Sequence, residues 1–308
     1  MGKLCLAVDK PGLSRSRRLR ELIAERLVVM PGAFNALTAM QIEGAGFDAV
    51  YISGAAMAAV RGLPDIGLLS MKEVKAEAEY IAKAVHIPTL ADADTGYGPP
   101  LEVMRTAQAF ESAGVAGIQL EDQEMPKRCG HLPGKKLVAA SEMAEKIAAA
   151  VEARSDPDFL IVARTDARSV EGLEAAVRRA QVYADAGADA IFPEALESSE
   201  EFRTFARLLS GEGVKVPLVA NMTEFGKTPY LTAREFEDLG YRLVLFPVTL
   251  LRTATKAMEA MLLELKALGT QRESLDKMHT RQQLYELLRY DQYEQQDGKL
   301  HERYGRDT

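Results

Sequence analysis

Four helix-like stretches of this chain close on one signal: Ala45-Gly46, Ala113-Gly114, Ala186-Gly187 and Leu239-Gly240. A short run rich in Val, Ile and Leu begins two or three residues after each. Glycine just past a helix end takes the left-handed conformation that stops the helix at little steric cost. The unit is therefore helix, glycine cap, strand. Apolar runs recur at 27–30, 49–53, 89–92, 117–121, 160–164, 190–193, 217–221 and 242–246, with helical patterns at 101–112, 141–153, 171–186 and 232–239. Nearly continuous apolar strands separated by helices predict an α/β protein with a parallel sheet covered on both faces. Eight units over about 250 residues predict a closed (β/α)8 TIM-type barrel. An open doubly wound sheet is the competitor, but no GxGxxG loop follows the first strand.

A single catalytic domain over 1–308 is the simplest reading, with the barrel at about 25–268 and a C-terminal helical extension at about 269–308. The tail is predicted to form one more helix over 274–295, with apolar positions at Met278, Leu284, Leu287 and Leu288 and then Tyr290 and Tyr293. A helix left over after a barrel closes must bury its stripe on its own barrel or on another subunit.

The net charge of −7 makes the chain a poor candidate for nucleic-acid binding. No segment approaches the roughly 20 apolar residues that cross a bilayer. The first apolar run, 4–8, is too short for a signal peptide, and the start lacks a full myristoylation pattern, so a cytoplasmic protein is expected. Two cysteines, Cys5 and Cys129, cannot build a disulfide framework or a four-thiolate zinc site.

Active sites of such barrels lie at the C-terminal strand ends, and here those ends are polar. They carry Ser53-Gly54-Ala55, Asp92 with Asp94, Glu121, Arg164 with Asp166, Glu194, Asn221 with Thr223, and Arg252 just beyond the last strand. Any one could be a helix cap. Together they are chemically complementary, since carboxylates hold metals and arginines hold carboxylates. Asp92, Asp94 and Glu121, without His or Cys, select Mg2+ or Mn2+ over zinc. The basic, glycine-bearing loop at 122–138 has the length of an active-site lid. Within it, Cys129 lies between cationic neighbours that would stabilise a thiolate and allow proton exchange near neutral pH. His131 follows two residues later.

These segments resemble the isocitrate lyase/phosphoenolpyruvate mutase superfamily and, within it, the 2-methylisocitrate lyases. The resemblance spans about 31–293 and rests on PGAFNALTA (31–39), YISGAA (51–56), RGLPDIG (61–67), ADADTGYG (91–98), LEDQ (120–123), PKRCGH (126–131), ARTDA (163–167), ANMTEFGKTP (220–229) and TRQQLYE (280–286). KRCGH is the most specific and marks the lyase branch.

The resemblance implies cleavage of the C2–C3 bond of 2-methylisocitrate to pyruvate and succinate, in propionate breakdown through the methylcitrate cycle. It implies Mg2+, with Mn2+ as a substitute, on Asp92 and Asp94 with Glu121 in support. Ser53, Gly54 and Ala55 would receive the pyruvate end, and Cys129 and Gly130 would ride on the gate. Arg164 and Arg252 would pair with substrate carboxylates, while Glu194, Asn221, Met222 and Thr223 complete the pocket. Arg281 would reach substrate from the terminal helix, in a homotetramer whose terminal helices are exchanged between subunits. Cys129 would protonate the succinate carbanion, Tyr51 is the first candidate base, and Asp65 and His131 are further catalytic candidates. Two positions depart from the family pattern. Ala55 stands where the pocket segment usually reads SGG, and Leu132 and Gly134 alter a gate that usually continues CGHRPNK. A related 2-hydroxy diacid such as 2,3-dimethylmalate or isocitrate is the alternative substrate. A barrel serving only as a binding scaffold is the alternative of another class, opposed by the intact acidic cluster and Cys129.

Overall fold

The structure is a computed structural model that describes residues 14–305. The readings of Cys5 and of the 4–8 run lie outside the described residues. Eight strands alternate with helices: β1 Val28–Ala33, β2 Val50–Ile52, β3 Thr89–Asp92, β4 Gly117–Glu121, β5 Leu160–Thr165, β6 Ala190–Pro193, β7 Val219–Asn221 and β8 Leu243–Phe246. They form one sheet in the order β6-β5-β4-β3-β2-β1-β8-β7, all pairings parallel. A parallel bridge from Ile191 to Leu218 brings β6 to β7 and closes the (β/α)8 barrel.

Strand alternation splits the apolar residues between two cores. Side chains pointing out of the barrel, such as Ile52, Ile118, Ile161 and Val244, pack under the surrounding helices. Those pointing in, among them Met30, Leu90, Val162 and Leu245, fill the barrel together with Leu19, Leu22 and Ile23. These three come from a helix at Arg15–Glu25, capped by the Ser14 side chain. That helix plugs the end where the strands begin, so the opposite end is left to hold polar groups.

One helical expectation holds and one needs correction. The helix expected over 171–186 is present as Leu173–Asp185, and a separate short helix, Arg168–Glu171, precedes it across Gly172 at φ +92. The tail is a 3-10 turn, Arg272–Lys277, and two helices, Arg281–Leu287 and Tyr290–Tyr304. Thr280 and Gln283 form a capping box that starts the first helix afresh. Arg289, at φ +57, breaks the chain between the two. The first of them lies along helix Ala36–Gly44, and Arg289 pairs with Glu43 at 2.9 Å. The helix after β8, Thr249–Leu268, buries none of its residues and leaves Met258, Leu262, Leu263, Leu265 and Leu268 exposed.

The segment after β4 is a hairpin rather than an open loop. Gln123 bridges Leu137 in antiparallel fashion, and the Val138 N–H donates to the Asp122 carbonyl at 3.0 Å. The Gln123 side chain braces the inside of the hairpin, bonding both the N–H and the C=O of Arg128 at 2.9 and 2.8 Å. Its base is thereby fixed to the barrel rim while its tip, 129–134, lies over the strand ends.

Candidate active site

A cavity of about 360 Å³ opens at the C-terminal strand ends, and Tyr51, Ser53, Ala55, Asp65, Asp92, Cys129, Gly130, His131, Arg164, Glu194, Asn221, Thr223 and Arg252 line it. Most sequence candidates therefore meet in one place. Gly54 supports the cavity from behind: a Cβ there would stand 2.7 Å from Asp92 Oδ2. Ser53 caps helix Gly54–Val60 and accepts from the Ala56 N–H at 3.3 Å. The helix thus starts at the cavity, where its first N–H groups have no intrahelical acceptor.

Asp94 and Glu121 neighbour Asp92 but do not line the cavity, and two further candidates lie elsewhere. Met222 is in the core, and its Sδ accepts from the Leu231 N–H at 3.4 Å. The residue after Asn221 points to the opposite face of the chain, as strand alternation requires. Arg281 is exposed at the start of its helix, outside the cavity. Sequence reasoning had left out Lys127, which lines the cavity although its neighbours Glu124, Met125 and Pro126 are exposed. It had also left out the apolar wall made by Leu63, Phe192, Leu245, Pro247, Val248 and Leu251. The strand-end pattern cannot flag apolar residues as part of a site.

The acidic cluster is buried and short of positive charge. Asp92 and Asp94 are 7% and 8% exposed and Glu121 is 1%. Asp94 reaches Asp92 by turning at φ +46, where its N–H donates to Asp92 Oδ1 at 3.1 Å. Burial, and after it the Asp94 charge, lift Asp92 to about 6, and burial lifts Glu121 well above the carboxylate range despite the pull of Arg164. Lys127 pairs with Asp94 at 2.8 Å and with Asp65, and Arg164 Nη1 stands 3.2 Å from Glu121. Neither the Asp94 nor the Glu121 contact has hydrogen-bond geometry, so Asp94 Oδ1 and Glu121 Oε2 remain without a hydrogen bond. Among the described residues no three His, Cys, Asp or Glu side chains stand close enough to hold an ion by themselves. The donor set fits a hard divalent cation bound by few protein oxygens, as Mg2+ prefers.

Arg164 organises the opposite wall. It forks onto Asp166 at 2.9 and 3.1 Å and faces Glu194 at 3.7 Å. Burial pushes the Glu194 carboxyl up, but the Arg164 guanidinium, His131 and Lys135 outweigh it and hold Glu194 at about 2. Asn221 donates to both Glu194 oxygens, at 3.2 and 3.3 Å, and its own Oδ1 stays free of hydrogen bonds. Arg252 stands at the mouth, bonded to the Glu224 carbonyl at 2.7 Å and stacked over Phe225.

The gate tip is seated. His131 Nδ1 accepts from the Lys227 N–H at 3.0 Å, which leaves Nε2 as the protonated nitrogen, 3.0 Å from Glu194 Oε1 though off the hydrogen-bond line. Gly130 lies against Glu194 and Arg164 so closely that a Cβ would fall 2.4 to 2.6 Å from them.

The surroundings of Cys129 and Tyr51 differ from what the sequence suggests. Burial first, then Glu194 and Asp65, push the Cys129 thiol above its ordinary value. Its cationic neighbours are engaged elsewhere: Lys127 with Asp65 and Asp94, Arg128 with the Pro133 carbonyl. This environment favours the thiol, the form that the resemblance implies, and lacks the thiolate stabilisation expected from the cationic neighbours. Tyr51 donates its phenol proton to Gln119 Oε1 at 2.9 Å, and burial and Asp92 push its pKa well above that of free tyrosine. It is a poor base here.

Known proteins resemble this chain over most of its length. The family model described as phosphoenolpyruvate phosphomutase matches residues 19–266. The chain is 51% identical to 2-methylisocitrate lyase of Aeropyrum pernix, over 95% of this chain and 92% of that one. It is 50% identical to 2-methylisocitrate lyase of Bacillus subtilis, over 92% of each. Among solved structures, 2,3-dimethylmalate lyase, described as a PEP mutase/isocitrate lyase superfamily member, superposes with a TM-score of 0.87 at 38% identity, covering 94% of this chain and 96% of that one. Phosphonopyruvate hydrolase in complex with oxalate and Mg++ superposes at 0.84 with 31% identity, covering 95% and 99%.

Proposed function

Because the chain belongs to the phosphoenolpyruvate mutase/isocitrate lyase superfamily, we propose that it is a carbon–carbon lyase cleaving 2-methylisocitrate to pyruvate and succinate. The observation that carries this reading is Cys129, a thiol kept protonated by its surroundings and facing the cavity from a seated gate. A carbanion-forming cleavage needs such a donor.

Enzymes of this superfamily are generally metal-dependent. Asp92, with Asp94 and Glu121 behind it, would hold Mg2+, or Mn2+ in its place. The ion would supply Lewis-acid polarisation of the substrate 2-hydroxyl and its neighbouring carboxylate. The start of helix Gly54–Val60, with Ser53 and Ala55, receives the carboxylate of the pyruvate half. Arg164 and Arg252 face the carboxylates of the succinate half, and Thr223 and the free Asn221 Oδ1 complete the polar wall. The apolar wall around Leu63 and Leu251 takes the alkyl parts.

Removal of the hydroxyl proton turns C2–O into C=O as the C2–C3 pair moves onto C3 and into its carboxylate. Tyr51 is disfavoured as the base, and the proton passes to a carboxylate of the Asp92 cluster that the ion leaves uncoordinated. Cys129 Sγ delivers its proton to C3, giving succinate, and the proton taken from the hydroxyl restores the thiol by way of solvent as products leave. The seated gate excludes water during the carbanion's life. Asp65 acts by holding Lys127, and His131 by clasping the gate to Glu194.

The enzyme works as one catalytic domain in a cytoplasmic homotetramer, in propionate breakdown through the methylcitrate cycle. The bare apolar face of helix Thr249–Leu268 supports exchange of the terminal helices between subunits. Such an exchange could bring Arg281 to a neighbouring cavity. Among the described residues no helix is long and apolar enough to cross a membrane.

The test is pyruvate release with Mg2+ from 2-methylisocitrate, isocitrate, 2,3-dimethylmalate and oxaloacetate, repeated with Cys129→Ser. Preference for 2-methylisocitrate by about tenfold in kcat/KM, roughly 1.4 kcal/mol, and a variant slowed by about 10²-fold or more are expected. Preference for another substrate, or a variant as active as its parent, refutes the assignment.

A further inference from the structure

Lys135, beyond its charge acting on Glu194, has no part in the reaction above, yet it is among the most buried charges in the molecule. Its side chain is 1% exposed and its ammonium has two partners. One is Asp166, at 2.7 Å, itself fully buried. The other is the carbonyl oxygen of Gly130.

These partners belong to different bodies. Asp166 sits at the end of β5 and is fixed there: its N–H donates to Asp122 Oδ1 at 2.9 Å, and its carboxylate receives both arms of Arg164. Asp122 is held in turn by the Thr165 and Tyr183 hydroxyls at 2.7 and 2.8 Å. Gly130 is at the gate tip, one residue from the Cys129 thiol. Lys135 itself stands near the braced base of the hairpin, two residues before the Gln123–Leu137 bridge. Opening of the tip would take the Gly130 carbonyl away while Lys135 kept Asp166.

We infer that Lys135 is the latch of the gate, a positioning residue whose ammonium bonds the Gly130 carbonyl in the closed state and so aims Cys129 into the cavity. Because Asp166 is shared by Lys135 and Arg164, the latch also ties gate closure to the arginine that faces the substrate. A charge-assisted hydrogen bond shielded from water suits this task, since it is strong and directional. The tip has a second tether in His131, which accepts from the Lys227 N–H on the loop after β7, so loss of the latch loosens the closed state without abolishing it.

The inference rests on the lyase reading only for its effect on turnover, so the decisive measurement uses no substrate. It is the rate of Cys129 alkylation by iodoacetamide in the ligand-free full-length protein. Lys135→Met is expected to be alkylated about tenfold faster than the parent protein, the effect of losing one charge-assisted hydrogen bond from the closed state. Should the loss of one partner at buried Asp166 prevent that variant from folding, Lys135→Gln carries the same expectation, because its shorter amide can donate to Asp166 without reaching Gly130. In pyruvate release, the latch variant loses kcat more than it raises KM. Alkylation at the parental rate, or acceleration only in proportion to a fall in melting temperature, overturns the latch. A parent protein that releases no pyruvate overturns the lyase reading and leaves the alkylation result to decide the latch.

Discussion

Gly130→Ala adds one methyl group where the gate meets the cavity wall. Its Cβ would stand 2.4 Å from Glu194 Cγ, 2.5 Å from Glu194 Oε1 and 2.6 Å from Arg164 Nη2. Ordinary contact needs roughly an ångström more. The wall has little room to give, because Glu194 is 1% exposed and held by Asn221, while Arg164 is forked onto Asp166. The gate must retreat instead. Overpacking of this kind costs about 1–3 kcal/mol, and here the cost falls on the closed state alone. If reaction occurs only from that state, kcat/KM should fall by about 5- to 150-fold. The melting temperature should hardly move, since an open gate accommodates the methyl and the barrel core is untouched. Pyruvate release and a thermal melt on the same preparation read both. A variant within twofold of the parent in kcat/KM, with an unchanged melt, would show that the seated gate is not the reacting arrangement.

Tyr51→Phe should lower activity by less than about tenfold, against the 10²- to 10⁴-fold loss expected of a general base. It should leave the pH–rate profile in place, and loss of the limb on which activity rises with pH would restore Tyr51 as the base. Without divalent metal, the raised pKa values of Asp92, at about 6, and of Glu121 mean that the folded state binds more protons than the unfolded chain. Stability from these groups is therefore lost as pH rises through about 6 and regained below it, so the metal-free melting temperature should climb from pH 7 to pH 5. Glu194, held at about 2, works oppositely: its stabilisation is present above the unfolded carboxylate value near 4.3 and disappears as pH falls toward about 2. Adding Mg2+ at about 100 times its Kd should stabilise the fold by about 2.7 kcal/mol. It should also flatten the slope between pH 5 and 7, and a slope indifferent to Mg2+ would separate the acidic cluster from metal binding. Replacing Leu262 and Leu263 together by Glu puts charge on the bare face of helix Thr249–Leu268. Light scattering should then give a mass below four times the 33.7 kDa chain, and a variant of parental mass would exclude that face from the assembly.

The sequence by itself settled the barrel and the strand-end positions of the site. Both follow from local rules: glycine caps stop the helices, apolar runs make buried parallel strands, and polar residues that end such strands have one rim to meet on. The family motifs then assigned the chemistry to Cys129 and to the Asp92 and Arg164 walls. Protonation was decided only by the tertiary structure. Lys127 and Arg128 precede Cys129 in sequence, but folding turns both toward other partners and sets Glu194 near the thiol instead, so the thiolate stabilisation that the local charges suggest is absent and the thiol is favoured. Tyr51 reads as a free base until burial and Gln119 claim its proton. Met222 falls within a site motif, yet strand alternation turns it into the core. Lys135 was one more positive charge on a basic loop until folding placed its ammonium between Asp166 and Gly130. Spacing along a chain determines which elements form, whereas charge and proton affinity depend on neighbours brought from distant segments and on the water that packing removes.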